Sequence, residues 1–212
     1  IQLRAVPAVD AAAARAEVTV LIPSYGHESF VRDAVCSVLA QTQTSLSLRL
    51  IDDRSTDRTV ERAREIEDPR FVSTVNHRNL GLANSLLAAL DDVSSPYVAI
   101  LNSDDLFHPE RLAKCCAVLD ADPEASLVAT DLFLVDEQGG ELHADNVSRL
   151  RDGPLIHAWV NWYRGVRPDR DTDLFRPLLE ANFLATSSNI VCRTDFLRRE
   201  AAALKSLKYC LD

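Results

Sequence analysis

Short apolar runs alternate with stretches of helical periodicity through the first half of the chain. Val18 to Ile22 is a β-branched run that ends at Pro23, after which Phe30, Val31, Ala34, Val35, Val38 and Leu39 recur at the spacing of one helix face. Leu46 to Ile51 reads as a second strand, closed by Asp52 and Asp53, with Ser55 or Thr56 placed to cap a helix running to about Ile66. Phe71 to Val75 reads as a third strand, Leu80 to Leu90 as a third helix, and Tyr97 to Leu101 as a fourth strand entering Asn102-Ser103-Asp104-Asp105. Pro109 opens a helix to Leu119, at a position where a missing N–H does no harm. Leu127 to Val135 reads as a long strand before the Gly139-Gly140 turn. This alternation predicts βαβ units and an α/β fold, with a mostly parallel central sheet flanked by helices.

The pattern decays from about 141 to 180 into Asp, Arg, Gly and Pro, with Trp159, Trp162 and Tyr163 as isolated large side chains. That stretch reads as a helical and loop insert. Ala185 to Arg193 then gives a polar-led strand, and Asp195 to Leu207 a helix that Asp195 is placed to cap. No internal repeat or flexible linker interrupts the chain.

Composition narrows the function. The 212 residues contain six glycines, at 26, 81, 139, 140, 153 and 165, none two away from another. Neither G-x-G-x-x-G nor G-x-x-x-x-G-K can be written, which removes the two commonest nucleotide-binding loops. A net charge of −9 lacks the basic footprint of a nucleic-acid binder, so no nucleic-acid partner is expected. Five cysteines without C-x-x-C spacing argue against a disulfide scaffold and a zinc knuckle, and fit a reducing, cytoplasmic setting. Cys115-Cys116 reads as core packing, and five scattered histidines with no H-x-x-x-H pair argue against zinc. No apolar run in this fragment is long enough for a membrane span. The chain starts at Ile1, holds no Met and stops at Asp212 after a helix-like run, so it reads as a piece cut at both ends.

In open parallel sheets, ligands bind beyond the carboxyl ends of the strands. Three polar clusters fall there: Pro23-Ser24-Tyr25, the Asp52 to Asp57 segment, and Asn102 to Asp105. An acidic pair in a loop is commonly a cap or turn former, but two such pairs on one rim point to a ligand. Asp104 and Asp105 side by side repel each other unless a hard cation or hydrogen bonds compensate, and such oxygen donors suit Mg²⁺ or Mn²⁺. A cation would also let an acidic chain hold an anionic substrate.

Four segments in order, VTVLIPSYGHESFVRDAVCSVLAQT, LRLIDDRSTDRT, NHRNLGLANSLLAAL and YVAILNSDDLFHPERL, resemble the nucleotide-sugar-binding half of the inverting family 2 glycosyltransferases. TSSNIVCRTDFL and LKSLKYCLD resemble, more weakly, the acceptor-side strand and the stretch with the catalytic carboxylate. The resemblance implies a GT-A fold of nucleotide-diphospho-sugar transferase type: one domain over 1–212, short at its C-terminus, with a donor half at 18–120 and an acceptor half at 121–212. It implies a nucleotide-diphosphate sugar donor, UDP- or dTDP-type, and a carbohydrate or lipid-linked acceptor in glycan or cell-surface polysaccharide synthesis. The expected place is the cytoplasm or the inner face of the membrane. The absence of Q-x-x-R-W favours transfer of a single sugar.

By the same resemblance Tyr25 stacks on the base, Pro23 and Ser24 shape its pocket, and Asp53 accepts from the base N3–H. Asn79, Gly81 and Asn84 lie under the sugar nucleotide; a tight turn is the equal reading for Gly81. Arg78 reads as a phosphate or base contact or as a solvated surface residue, and His27 is placed to touch the donor. Asp105 is the metal ligand, Asp104 lies nearer the ribose and shares the metal site, and Asn102 stands where many relatives carry an Asp. Asp212 occupies the place of the catalytic base. Trp159 and Trp162 suit either packing of the insert or a sugar platform. A catalytically silent sugar-nucleotide-binding relative, a sugar nucleotidyltransferase and a receiver-like domain are the competing readings. The nucleotidyltransferase wants a Gly-rich, Arg-containing loop after the first strand, and the receiver wants an acidic pair there; PSYGHES is neither.

Overall fold

The computed structural model describes residues 16–136, 140–142 and 186–206. The elements run β1 (Val18–Ser24), α1 (Val31–Leu39), β2 (Leu46–Asp52), α2 (Thr59–Arg64), β3 (Phe71–Val75), α3 (Leu82–Leu90), β4 (Tyr97–Ile100), α4 (Arg111–Ala121), β5 (Leu127–Ala129), a 3₁₀ turn (Ser187–Asn189), β6 (Ile190–Arg193) and α5 (Thr194–Ser206). Two compact units are present, one formed by residues up to Ala129 with those from Ile190 onward, the other by Thr130–Asn189.

The first unit is built on a six-stranded sheet in the order β3-β2-β1-β4-β6-β5. β1 is parallel to β2 and β4, with Val18 beside Leu46 and Tyr97, and β3 is parallel to β2. All seven β1 residues are buried, polar Thr19 and Ser24 with the apolar ones, as expected where both faces of a parallel sheet are covered. Alternate side chains go to opposite layers. Val20, Ile22, Leu48, Leu50 and Ala99 join Val31, Val35, Val38, Leu112 and Leu119 in one core, while Leu21, Ile51, Val98 and Cys192 join Leu90 and Val93 in the other. Cys115 and Cys116 pack in the first core, and burial pushes the Cys116 thiol up to about 12, as expected for structural cysteines.

β6 runs antiparallel to both β4 and β5, and the turn into α5 brings two arginines onto helix ends. Arg193 donates to the carbonyl of Leu119 (2.6 Å) in the last turn of α4 and to that of Ala125 (2.9 Å) in the turn beyond it, and Arg198 to those of Leu90, the last residue of α3, and Val93 just past it. Cations there satisfy carbonyls that the helix leaves unpaired. Buried Gln41 serves the other end of α4: its Oε1 accepts from the Leu112 N–H at 3.0 Å and its Nε2 donates to the His108 carbonyl at 2.8 Å.

Four expectations shift. The long strand from Leu127 to Val135 is only Leu127–Ala129. Phe133 is 70% exposed and Val135 exposed, so the alternation there does not mark a buried face. Instead Val135 bridges Glu141 in a small hairpin, with the Asp136 N–H on the Gly140 carbonyl at 2.8 Å. The polar lead of the later strand is the 3₁₀ turn, because Ser and Asn side chains favour turns over ladders. The helix expected after Ser55 or Thr56 starts at Thr59 and ends at Arg64, with Asp57 Oδ1 accepting the Thr59 N–H at 3.0 Å. Asp195 lies inside the first turn of α5, 3.5 Å from Arg198, and α5 begins at Thr194. The insert at 143–180, with Trp159, Trp162 and Tyr163, lies outside the described residues, as does Asp212.

Leu50→Ala, at the centre of the first core, should lower the unfolding free energy by about 2–5 kcal/mol in urea melts. Val72→Ala, 56% exposed on edge strand β3, should change it by under about 0.5 kcal/mol.

Candidate functional site

The sheet order reverses between β1 and β4: the chain winds outward through β2 and β3, then crosses β1 to place β4 on its other side. Loops leaving β1 and β4 therefore diverge and open a crevice at the carboxyl ends, where ligands of open α/β sheets bind. The loop after β2 lies on the same rim, since Ser24 pairs with Asp52 and the Asp53 N–H donates to the Ser24 carbonyl at 2.8 Å.

The β1 loop begins with buried Ser24 and turns through Gly26 at φ +71°. Tyr25 is 52% exposed, an accessible aromatic face. Ser24 Oγ is buried and makes no hydrogen bond among the described residues, which is uncommon for a buried hydroxyl and marks a place for a ligand or water. Three successive N–H groups are taken by the β2 loop: Gly26 by Ser55 Oγ (3.0 Å), His27 by Thr59 Oγ1 (2.9 Å) and Glu28 by Asp57 Oδ2 (3.1 Å). The His27 imidazole goes the other way, with Nδ1 2.7 Å from Ser103 Oγ in the β4 loop.

In the β2 loop the two aspartates part company. Asp52, fully buried, accepts from the Ser55 N–H (2.8 Å) and hydroxyl (2.5 Å), closing a turn and using the hydroxyl that the sequence offered as a helix cap. Asp53, 5% exposed, faces the segment after β3. Its Oδ1 accepts from Asn76 Nδ2 (2.9 Å), the Leu80 N–H (2.8 Å) and Ser85 Oγ (3.1 Å), and its Oδ2 from the Gly81 N–H (2.7 Å). Burial pushes this carboxyl up, but the donors from Leu80, Asn76, Gly81 and Ser85 together outweigh it and hold the pKa below the ordinary aspartate value. Arg54 follows at φ +68°, its guanidinium on the His77 carbonyl, so neighbouring residues hold the 76–81 segment from both sides.

Gly81 precedes α3 at φ +80°, so the tight-turn reading of this glycine holds: an added Cβ would meet no atom within 4 Å, but the backbone conformation disfavours any L side chain. Asn79 Oδ1 accepts the Gly81 N–H at 3.1 Å and Asn84 Nδ2 donates to the Leu80 carbonyl at 2.8 Å. Arg78 is exposed. In the β4 loop the Asp105 N–H closes a turn on the Asn102 carbonyl at 3.0 Å, leaving Asp104 exposed and Asp105 half-buried, with Asn102 Nδ2 3.4 Å from Asp105 Oδ2.

The structure thus sets Pro23, Ser24, Tyr25, Asp53, Asn79, Gly81, Asn84, Asn102, Asp104 and Asp105 along the carboxyl-end rim. The roles of Thr59, Ser85 and Ser103 emerge only in three dimensions: Ser103 lies within the Asn102 to Asp105 cluster and Thr59 beside the acidic β2 loop, while Ser85, inside α3, carries no local signal. Among the described residues no group of three or more His, Cys, Asp or Glu is gathered as a metal cage. The adjacent Asp104 and Asp105 carboxylates still fit a hard cation, because Mg²⁺-type sites use one or two carboxylates and complete their shell with phosphate oxygens and water.

The family model for glycosyl transferase family 2 matches residues 19–177. The succinoglycan biosynthesis protein ExoO of Rhizobium meliloti is 26% identical over 170 residues, 79% of this chain and 49% of ExoO. A mannosyltransferase from Pyrobaculum calidifontis, solved with GDP-Man and Mn²⁺, is 25% identical with a TM-score of 0.51, covering 56% of this chain and 36% of that one. S. aureus TarS 1-349 in complex with UDP-GlcNAc shares the fold at 17% identity and a TM-score of 0.60, over 87% of this chain and 47% of that one. The chain spans about half the length of the curated relatives it matches. With a GT-A arrangement of strands and a family match over most of its length, the chain belongs to glycosyl transferase family 2.

Proposed function

We propose that this chain is an inverting, metal-dependent glycosyltransferase domain that moves a sugar from a UDP- or dTDP-type donor to a hydroxyl acceptor in glycan or cell-surface polysaccharide synthesis. The observation that carries the reading is the juxtaposition of three loops at the β1/β4 crevice: an exposed aromatic, a caged carboxylate and an adjacent carboxylate pair. These are the parts needed to hold a base, order a donor loop and manage diphosphate charge. The succinoglycan relative supports a polysaccharide setting, and the mannosyltransferase solved with GDP-Man and Mn²⁺ supports a nucleotide-diphosphate sugar used with a divalent cation, while the UDP- or dTDP-type base rests on the resemblance. No helix among the described residues is long and apolar enough to cross a membrane.

In this reading Tyr25 stacks on the base, with Pro23 and Ser24 beneath it. Asp53 orders the 76–85 segment, with the remaining acceptor capacity of Oδ2 turned to a base N–H. Asn79, Gly81 and Asn84 support the sugar nucleotide, and Asn102 and Asp104 lie near the ribose. Asp105, assisted by Asp104, would hold Mn²⁺ or Mg²⁺, whose charge stabilises the departing diphosphate. The acceptor oxygen bonds to the anomeric carbon from the face opposite the leaving group as the bond to the diphosphate breaks. Its proton passes to a carboxylate, assigned to Asp212, and the nucleoside diphosphate departs.

Titration calorimetry should show UDP binding that Mn²⁺ strengthens at least tenfold, and Asp105→Ala should abolish the strengthening; no binding with or without Mn²⁺ would remove the reading. Asp53→Asn should weaken UDP binding by about 1–3 kcal/mol, because the amide turns a donor against one of the donors now facing the carboxylate. Since the folded pKa of Asp53 is depressed, its contribution is present at neutral pH and is lost as pH falls through that lowered value, below the ordinary aspartate range. The difference in unfolding free energy between wild type and Asp53→Asn should therefore be the same at pH 7 and pH 6, and a difference that already shrank between them would contradict this. Asp212→Asn should cut turnover by about 10²–10⁴-fold with donor affinity unchanged; turnover at the normal rate would reassign the base.

A further inference from the structure

We propose that His27 is a positioning residue that locks the base-side loop to the diphosphate-side loop across the crevice. The proposal rests on the donor site argued above and gives a role to a side chain that touches neither reacting atoms nor the metal ligands directly.

β1 and β4 are paired from Val18 beside Tyr97 to Leu21 beside Ile100, and beyond Leu21 and Ile100 the two chains part. His27 spans that divergence. Its backbone is held first: the positive φ of Gly26 sets up three consecutive N–H groups that dock on Ser55, Thr59 and Asp57, and Glu28 Oε2 in return accepts the Arg58 N–H at 2.8 Å. The ring is held next, its plane perpendicular to that of Phe30 with centroids 6.1 Å apart. Backbone and ring together leave Nδ1 aimed at one atom, Ser103 Oγ at 2.7 Å, 76 positions away in sequence. Ser103 is 1% exposed and sits between Asn102 and Asp104, so it cannot move without carrying the carboxylate pair with it.

A nucleoside diphosphate touches both loops, the base at Tyr25 and the diphosphate beside Asp105. If the loops are already tied at the right separation, binding does not have to order one against the other. A ligand that touches one loop gains nothing from the tie. That asymmetry separates a lock from a merely structural hydrogen bond.

The test compares wild type, His27→Ala, Ser103→Ala, the double variant and His27→Asn, whose side-chain amide can stand where Nδ1 stands. Affinities for UDP with Mn²⁺ and for uridine alone are read by calorimetry and NMR titration. His27→Ala should weaken UDP–Mn²⁺ about tenfold, equivalent to about 1.4 kcal/mol and in the range of one hydrogen bond acting through preorganisation, and leave uridine within about twofold. Ser103→Ala should match it, the double variant should be no worse than either single one, and His27→Asn should recover most of the loss. Equal weakening of uridine, additive losses in the double variant, unchanged UDP–Mn²⁺ affinity or no recovery in His27→Asn would each overturn the lock. Should wild type bind neither UDP nor Mn²⁺, the donor reading fails and the lock is judged separately by amide hydrogen exchange over 102–106. Exchange there should quicken in His27→Ala and Ser103→Ala but not in His27→Asn, and equal rates in all proteins would overturn the lock itself.

Discussion

The rim depends on the constraint that β1 satisfies: a strand buried on both faces and hydrogen-bonded along both edges has no freedom to slide. A one-residue slip would exchange its two apolar layers, since Leu21 packs with one core while Val20 and Ile22 pack with the other. Register at Val18 therefore sets where Ser24 meets Asp52, and so where the base-side and acidic loops begin. The chemistry at the carboxyl end is positioned by hydrocarbon several residues away.

On that frame, polar satisfaction does the fine placement. Asp52 and Asp53 are adjacent and both buried, yet they serve different loops: one folds its own turn, the other collects four donors from a segment more than twenty residues on. A buried carboxylate is tolerated only with such company, and a carboxylate so engaged is a rigid one. Its position fixes Leu80 and Gly81, and hence the start of α3. Hydroxyl groups carry out the corresponding task between the other loops, with Ser55, Thr59 and Ser103 each holding a partner from the β1 loop.

Much of this was legible in the sequence for a physical reason. Val18 to Ile22 is buried on both faces, so its apolar composition marks it as a central parallel strand, Leu46 to Ile51 shows its period of two with Ser47 and Arg49 half-buried, and the acidic clusters follow at strand ends where the topology needs a ligand crevice. Reading failed where neighbours decide. Phe133 and Val135 alternate like a strand but are exposed. Ser55 looks like a helix cap until Asp52 and Gly26 claim its hydroxyl. The direction of Asp53, toward the segment after β3, and the reach of His27 to Ser103 are contacts between distant loops that no local pattern encodes.

The antiparallel partner of β4 has a consequence for how the protein is made. β4 is buried in the finished sheet between β1 and β6, but β6 lies beyond the whole Thr130–Asn189 unit in sequence. A ribosome delivers Tyr97 to Ile100 long before Ile190 to Arg193, so the nascent sheet waits with one apolar strand edge unpaired. Such an edge invites pairing with another chain, and closing it late is slow because the loop entropy comes before the contact that rewards it. The same late segment brings Arg193 and Arg198 to the ends of α4 and α3, so the last strand to arrive both seals the sheet and finishes two helices.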